Sequence, residues 1–423
     1  MSKRTIIIII FLAAICGGAA ATMSASASLP RRRQQPAGDQ GRKLAPGARV
    51  AIRNLNGAVT VTGWDRDWVE ATAGDQTANV RIYEDPSLHG GIMITTESPG
   101  RRRGGEAHLV VKLPHSVQID QITTMQGNIA VSGIDGSVSL KTGAGDIEAA
   151  QVGGLTVTTG GGTVRVRAVS GATTIHTGGG DVRIEAVSGA TNILTGGGVV
   201  AASNVAALTV HTGGGNIRAT TVNGPANIQT GGGDVILKDI KGNLIGKVTS
   251  GDLSVEDVTG LIDLTMTSGD VRIRNAGGDV RINSISSAID VRCVKGRVEA
   301  RSADGEIVLV GIGGDVDARS TSGEVSFSGA IHANGHYTLK STSGQVRMLI
   351  PPETPGFTAT MSSYNGEIQT DFPLKVESTP NRGPLNRKIV GVYGDGQAQI
   401  TLDSFNGSAT LAKKAAATNK DCK

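Results

Sequence analysis

The amino-acid sequence predicts an all-β chain built as a parallel β-solenoid, a β-helix of roughly 18-residue coils with aromatic-containing N- and C-terminal caps. Three observations predict it. The first is a repeat. A glycine, a short polar residue and then Val or Ile recur at steps of 17 or 18 residues. The anchors are Gly127, Gly145, Gly162, Gly180, Gly198, Gly215, Gly233, Gly251 and Gly269, then Ser287, Gly305 and Gly323. A fixed period of this size marks a stacked-repeat architecture. The second is strict polar/apolar alternation inside each unit, the period of a half-buried strand. The third is composition. The 423 residues include 61 Gly but only 3% aromatics, and no Phe, Trp or Tyr occurs from Glu84 to Ser326. A globular enzyme core of this length uses rings to fill its interior. With 38% apolar residues the chain is not a disordered one, and its glycines do not fall at every third position as in collagen.

Taken in order, residues 1–27 read as a signal peptide. Lys3 and Arg4 precede the apolar run Ile6 to Ile15, and Ala25-Ser26-Ala27 offers a small-residue cleavage site. The alternative is an uncleaved anchor, for which the run is short. Ile15 stands where a lipobox before Cys16 carries a small residue. No second membrane-spanning stretch follows. Residues 28–48 read as a flexible linker, and 49–126 as the N-terminal cap and first coils. Residues 127–350 form the regular solenoid, 351–412 the C-terminal coils and cap, and 413–423 a tail.

One unit, Thr173 to Ala190, shows the logic. Ile175 and Thr177 flank His176, and Gly178-Gly179-Gly180 turns the chain. Asp181, Val182, Arg183, Ile184 and Glu185 then alternate, and Val187-Ser188-Gly189 makes a second turn. Glycine is expected to supply the positive φ of each corner. Ile175, Val182, Ile184 and Val187 are the expected core of the coil. Four aliphatic side chains do not offset the ordering of eighteen residues, so one coil cannot stand alone. Stacking pairs every strand above and below and closes the apolar face. Pro225 falls at a corner, where a missing N–H does no harm. Asn56-Gly57-Ala58-Val59 reads as an earlier copy, Gly344 and Gly366 as later ones, and Asn406-Gly407-Ser408-Ala409 as the last. Trp64, Trp68, Tyr83 and the late aromatics are expected to fill the caps that shield the open strand edges.

Val50 to Val69, VAIRNLNGAVTVTGWDRDWV, resembles the opening of the bacterial family of adhesin-like proteins with GIN-like repeats. Leu109 to Ile147 is similar to its next stretch, and Tyr364 to Gly407 to its closing coils. The resemblance covers roughly residues 48 to 412. It implies an exported β-helical protein of largely uncharacterised function, and it brings no catalytic residue with it.

The side chains give few starting points for chemistry. There are 41 Lys and Arg against 37 Asp and Glu, a net charge of +4. That balance does not call for nucleic acid, and Arg31-Arg32-Arg33 and Arg101-Arg102-Arg103 lack interleaved aromatics. Asp146, Asp181, Asp234, Asp252 and Asp270 follow the turn glycines, with Thr163, Val199, Asn216, Ala288, Glu306 and Glu324 in the same slot. Stacked carboxylates could bind calcium or act as an acid/base pair. Arg165, Arg183, Arg218 and Arg272 two residues later favour cross-coil charge compensation instead. The spacing departs from that of calcium-binding nonapeptide rolls. The glycine triplets lack a Walker lysine and read as corners. His176 and His211 are separated by a coil carrying Leu194, too far apart for one metal. Cys293 aligns with Ala186 and reads as a buried thiol, and with Cys422 it makes no disulfide framework.

These readings converge on an exported, non-enzymatic scaffold or binding surface at the bacterial cell envelope, with no catalytic or metal-binding residues and no cofactor. Its partner would be a surface polymer, an envelope protein or a second copy. The alternative is a carbohydrate-active β-helix, a lyase or hydrolase using Asp234, Asp252 or Asp270.

Overall fold

The computed structural model describes residues 41–74, 79–97, 107–378, 387–414 and 422. The expected signal segment and both Arg triplets lie outside them. Each coil contributes strands to two parallel stacks. In one stack Thr173–Thr177 lies between Ile147–Thr159 and Val182–Thr195, with Val157, Ile175 and Ile193 in register. In the other, Val164, Val182 and Val200 stand in register on successive coils. Like residues therefore sit on like residues, and the interior is tiled by Val, Ile, Leu and Ala. Ile175, Val182, Ile184 and Val187 are all buried, as the alternation predicts.

The glycine-triplet corner works as expected. Gly180 has φ +98°, and a Cβ there would collide with the backbone carbonyl of Gly162 one coil below. The second corner differs from expectation. Its left-handed residue is Ala186 (φ 57°), whereas Gly189 has an ordinary φ. Gly189 is glycine because a Cβ would collide with the Gly171 backbone. The same corner holds Gln151, Ala168, Asn204, Thr221, Asp239, Asp257, Asn275 and Cys293, all with positive φ. Asn and Asp accept that conformation readily. Ala and Thr adopt it at a cost of about 1–2 kcal/mol, so the stack imposes the corner on them.

At both ends the spatial order departs from the chain order. Arg49–Asn56 pairs on one side with Gln118–Gln126 and on the other with Gly91–Glu97, all parallel. The first coil is thus one layer in from the end. Antiparallel strands Asn79–Asp85 and Trp68–Ala73 lie outside it, on Gly91–Glu97 and Leu109–Pro114. The far end repeats the device. Ala398–Ser404 lies between His336–Ser341 and Phe357–Ser363, so Gly407 stacks on Gly344 and Gly366 on Gly407. Antiparallel Arg387–Tyr393 and Lys375–Ser378 close that end.

The cap cores divide unevenly. Phe327, Tyr337, Phe357 and Phe372 are buried at the C-terminal end, with Tyr393 stacked on Phe357 at 5.2 Å. The N-terminal rings do not fill a core. Trp68 and Tyr83 are exposed, and the cap packs Val50, Ile52, Ile92, Ile94 and Leu109 instead. Its inserted coil has the same aliphatic width as the rod, and that leaves a ring no interior space. The Trp64 indole N–H donates to the Trp68 carbonyl oxygen at 2.9 Å, with Arg66 and Lys112 against the ring. Arg42–Lys43 pairs with Trp68–Ala73 and Leu44 is buried, so the end of the expected linker belongs to this cap.

Candidate functional site

The outward carboxylates are built into the backbone of the rod. Asp234 Oδ1 accepts the Asp252 N–H at 3.1 Å, and Asp252 Oδ1 accepts the Asp270 N–H at 3.0 Å. Asn216 serves Asp234 in the same way. Asn128, Asp146 and Asp181 do so for Asp146, Thr163 and Val199. A turn residue has no strand carbonyl opposite its N–H, and an unpaired amide is costly. The side chain below takes that place. The second corner carries a matching set, Asn243 to Leu261, Asp279 to Arg297 and Asp315 to His336. On Asp146, Asp181, Asp252 and Asp270 a carboxylate oxygen also meets arginine. Asp270 pairs with Arg272 at 3.0 Å, Asp252 with Arg272 at 3.8 Å and Asp181 with Arg183 at 3.1 Å. Among the described residues no group of three His, Cys, Asp or Glu could hold a metal ion. The structure puts Leu194 between His176 and His211 in register.

The glycine triplets are committed too. Thr177 Oγ1 donates to the Gly179 carbonyl oxygen at 2.6 Å and accepts the Gly179 N–H at 3.3 Å. Gly178 N–H donates to the Thr159 carbonyl oxygen. Thr159, Thr195, Thr212 and Thr230 repeat the staple. Two of the three N–H groups of the triplet are thereby engaged within the rod. The buried Thr was missed from the sequence, although Thr-Gly-Gly-Gly recurs there in five consecutive coils.

Cys293 is a correction. It is a half-buried residue at the left-handed corner, and it is joined to Cys422 with a Cα–Cα distance of 5.4 Å. The alignment with Ala186 holds, but Ala186 is itself the left-handed corner residue, and the corner side chain points outward, where a thiol can be reached. Gly311 occupies the corner one coil further on. A Cβ there would stand 2.6 Å from Cys422 Sγ. The disulfide lies in a groove of about 850 Å3 that runs along this corner from Lys241 to His332. Beside it the Lys241 ammonium, hydrogen-bonded to Asp239, holds that carboxyl below the usual carboxylate range.

A two-stack parallel solenoid closed by inserted coils defines the class of this protein. Residues 56–277 and 201–412 match the Toastrack DUF4097 family, and the chain belongs to it. No curated protein matches the chain. A crystal structure of a protein from Clostridium sporogenes ATCC 15579, whose name marks it as a candidate cell adhesion protein, aligns over 89% of this chain and 98% of its own. The identity is 7% and the TM-score 0.14. No helix among the described residues is long and apolar enough to cross a membrane.

Proposed function

We propose that this Toastrack chain is an exported, non-enzymatic β-solenoid that serves as an adhesin-like scaffold or binding surface at the bacterial cell envelope. One observation carries the reading. Asp234 and Asp252 hold the amide of the next coil, as Asp146 and Asp181 do earlier in the chain, and Asp270 pairs with Arg272. A general acid or nucleophile needs a carboxyl group turned toward substrate, not bound into its own backbone. The Cys293–Cys422 bond supports export, since such bonds persist in oxidising compartments. A surface polymer, an envelope protein or a second copy would meet the outer faces, with no cofactor required.

Fractionation of cells carrying a tagged chain is expected to place it outside the cytoplasm with its cysteines oxidised. Recovery of a reduced chain in the cytosol would overturn export. Asp252→Asn keeps an oxygen for the Asp270 amide and is expected to fold like the parent. Turnover of any polysaccharide by the parent that vanished in Asp252→Asn would instead establish the carbohydrate-active reading.

A further inference from the structure

A second groove, of about 560 Å3, lies near the C-terminal cap. Arg301, Arg319, Lys340 and Asp403 stand in register along it, one per coil. Thr321, Thr342 and Phe405 stand one coil apart on the following turn, each N–H donating to the strand below. The coils are about 4.8 Å apart, so polar groups repeat along the groove at a spacing close to the rise of one residue of an extended glycan.

The charges along it are nearly matched. Arg301 meets Glu299 at 2.6 Å, Arg319 meets Asp317 at 2.7 Å and Lys340 meets Asp403 at 3.6 Å. Arg281 shares Glu299 at 3.4 Å, so four cations stand against three carboxylates, a net field too weak to draw a polyanion. Donor capacity remains. A guanidinium has five N–H groups, and Arg319 gives Asp317 two hydrogen bonds, from Nε and one Nη. Arg301, Arg319 and Lys340 are each about half exposed.

The end of the groove is aromatic. Phe405 and Tyr364 stack at 4.6 Å with an interplanar angle of 4°. Phe405 is 49% exposed and lines the groove. Tyr364 covers one face of its ring, and Thr342 holds the matching turn position one coil below. A half-exposed ring beside forked N–H donors, carboxylates and hydroxyls suits a ligand that alternates apolar C–H faces with hydroxyl groups.

We propose that this groove binds a segment of neutral polysaccharide, with one sugar ring stacked on Phe405 and the next ones hydrogen-bonded by Lys340, Arg319 and Arg301. The proposal rests on the binding-surface reading and gives that surface a location and a ligand class. The test is calorimetric titration of the full chain with neutral gluco-, manno- and chito-oligosaccharides, with oligogalacturonate as the acidic comparison. One neutral series is expected to bind with little dependence on salt. Phe405→Ala is expected to weaken it about tenfold or more, and Phe405→Trp to keep it. Arg319→Ala, at an exposed position, gives a second loss if Phe405→Ala fails to fold. Binding of the acidic oligomer alone, no oligosaccharide binding, or equal binding by parent and both alanine variants overturns the proposal. Envelope preparations separate the two readings. If they bind parent and Phe405→Ala equally, the groove is wrong and the binding surface stands; if they do not bind the parent, both fall.

Discussion

Single residues show why outward polarity in this chain is structural. Asp234, Asp252 and Asp270 were legible as a column from spacing alone. The hydrogen bonds that Asp234 and Asp252 accept from the amides of the next coil were not, because a sequence does not show which backbone groups lack a strand partner. Tyr337 is the buried counterpart. It enters the interior where the residues after Ser328 lengthen the coil, and its hydroxyl accepts the His332 N–H at 3.0 Å. Burial pushes its phenol above the ordinary range. A raised pKa in the folded state means its contribution is complete below the unfolded value of about 10 and is lost as pH rises further. Tyr337→Phe is expected to cost about 1 kcal/mol near neutrality through the lost hydrogen bond. It should also lose less stability than the parent above pH ~10. Urea unfolding across that range checks both; parallel curves for the two proteins would show that the phenol ionises as readily folded as unfolded.

At the scale of the element, the coil was almost wholly readable. Alternation placed Ile175, Val182, Ile184 and Val187 inside, and the glycine period placed the first corner. The second corner was misread because Ser-Gly resembles a turn, while the residue that turns is Ala186. No local signal marks an alanine forced into the left-handed region by the coils above and below. The glycines of one triplet also differ in what they do. Gly180 combines φ +98° with a carbonyl in the way of any Cβ, whereas Gly179 has open space around it and an ordinary φ. Gly180→Ala is expected to destabilise by more than about 2 kcal/mol. Gly179→Ala should be neutral, or stabilising by about 0.5 kcal/mol. Chemical denaturation of the two variants side by side measures the contrast, and equal losses would show that both glycines serve the same purpose.

The whole molecule is fastened by two devices of different visibility, an aromatic core at its C-terminal end and a disulfide that ties Cys422 back to a coil inside the rod. The wider aromatic core was announced by the rings themselves, which resume at Phe327. The disulfide was not, because its partners lie 129 residues apart and only the outward direction of the Cys293 corner makes them meet. By closing so long a loop it limits the unfolded chain. Its removal is expected to cost ~2–4 kcal/mol. Cys422→Ser should therefore melt earlier, and reductant should lower the parent to the same midpoint while leaving the variant unchanged. A parent indifferent to reductant would show that the bond adds nothing to stability.

The inserted coils also govern the order in which the molecule can be completed. Phe357–Ser363 has no parallel neighbour until Ala398–Ser404 arrives. A nascent chain growing from its N-terminus therefore cannot seal its far end progressively. It must hold the antiparallel pair Phe357–Ser363 and Arg387–Tyr393 off the rod until the last strands thread into place. Completion is then a single late event of high sequence separation, the slowest kind of step in β-folding. Until it happens, the rod presents a bare, growing-type edge to every neighbouring chain.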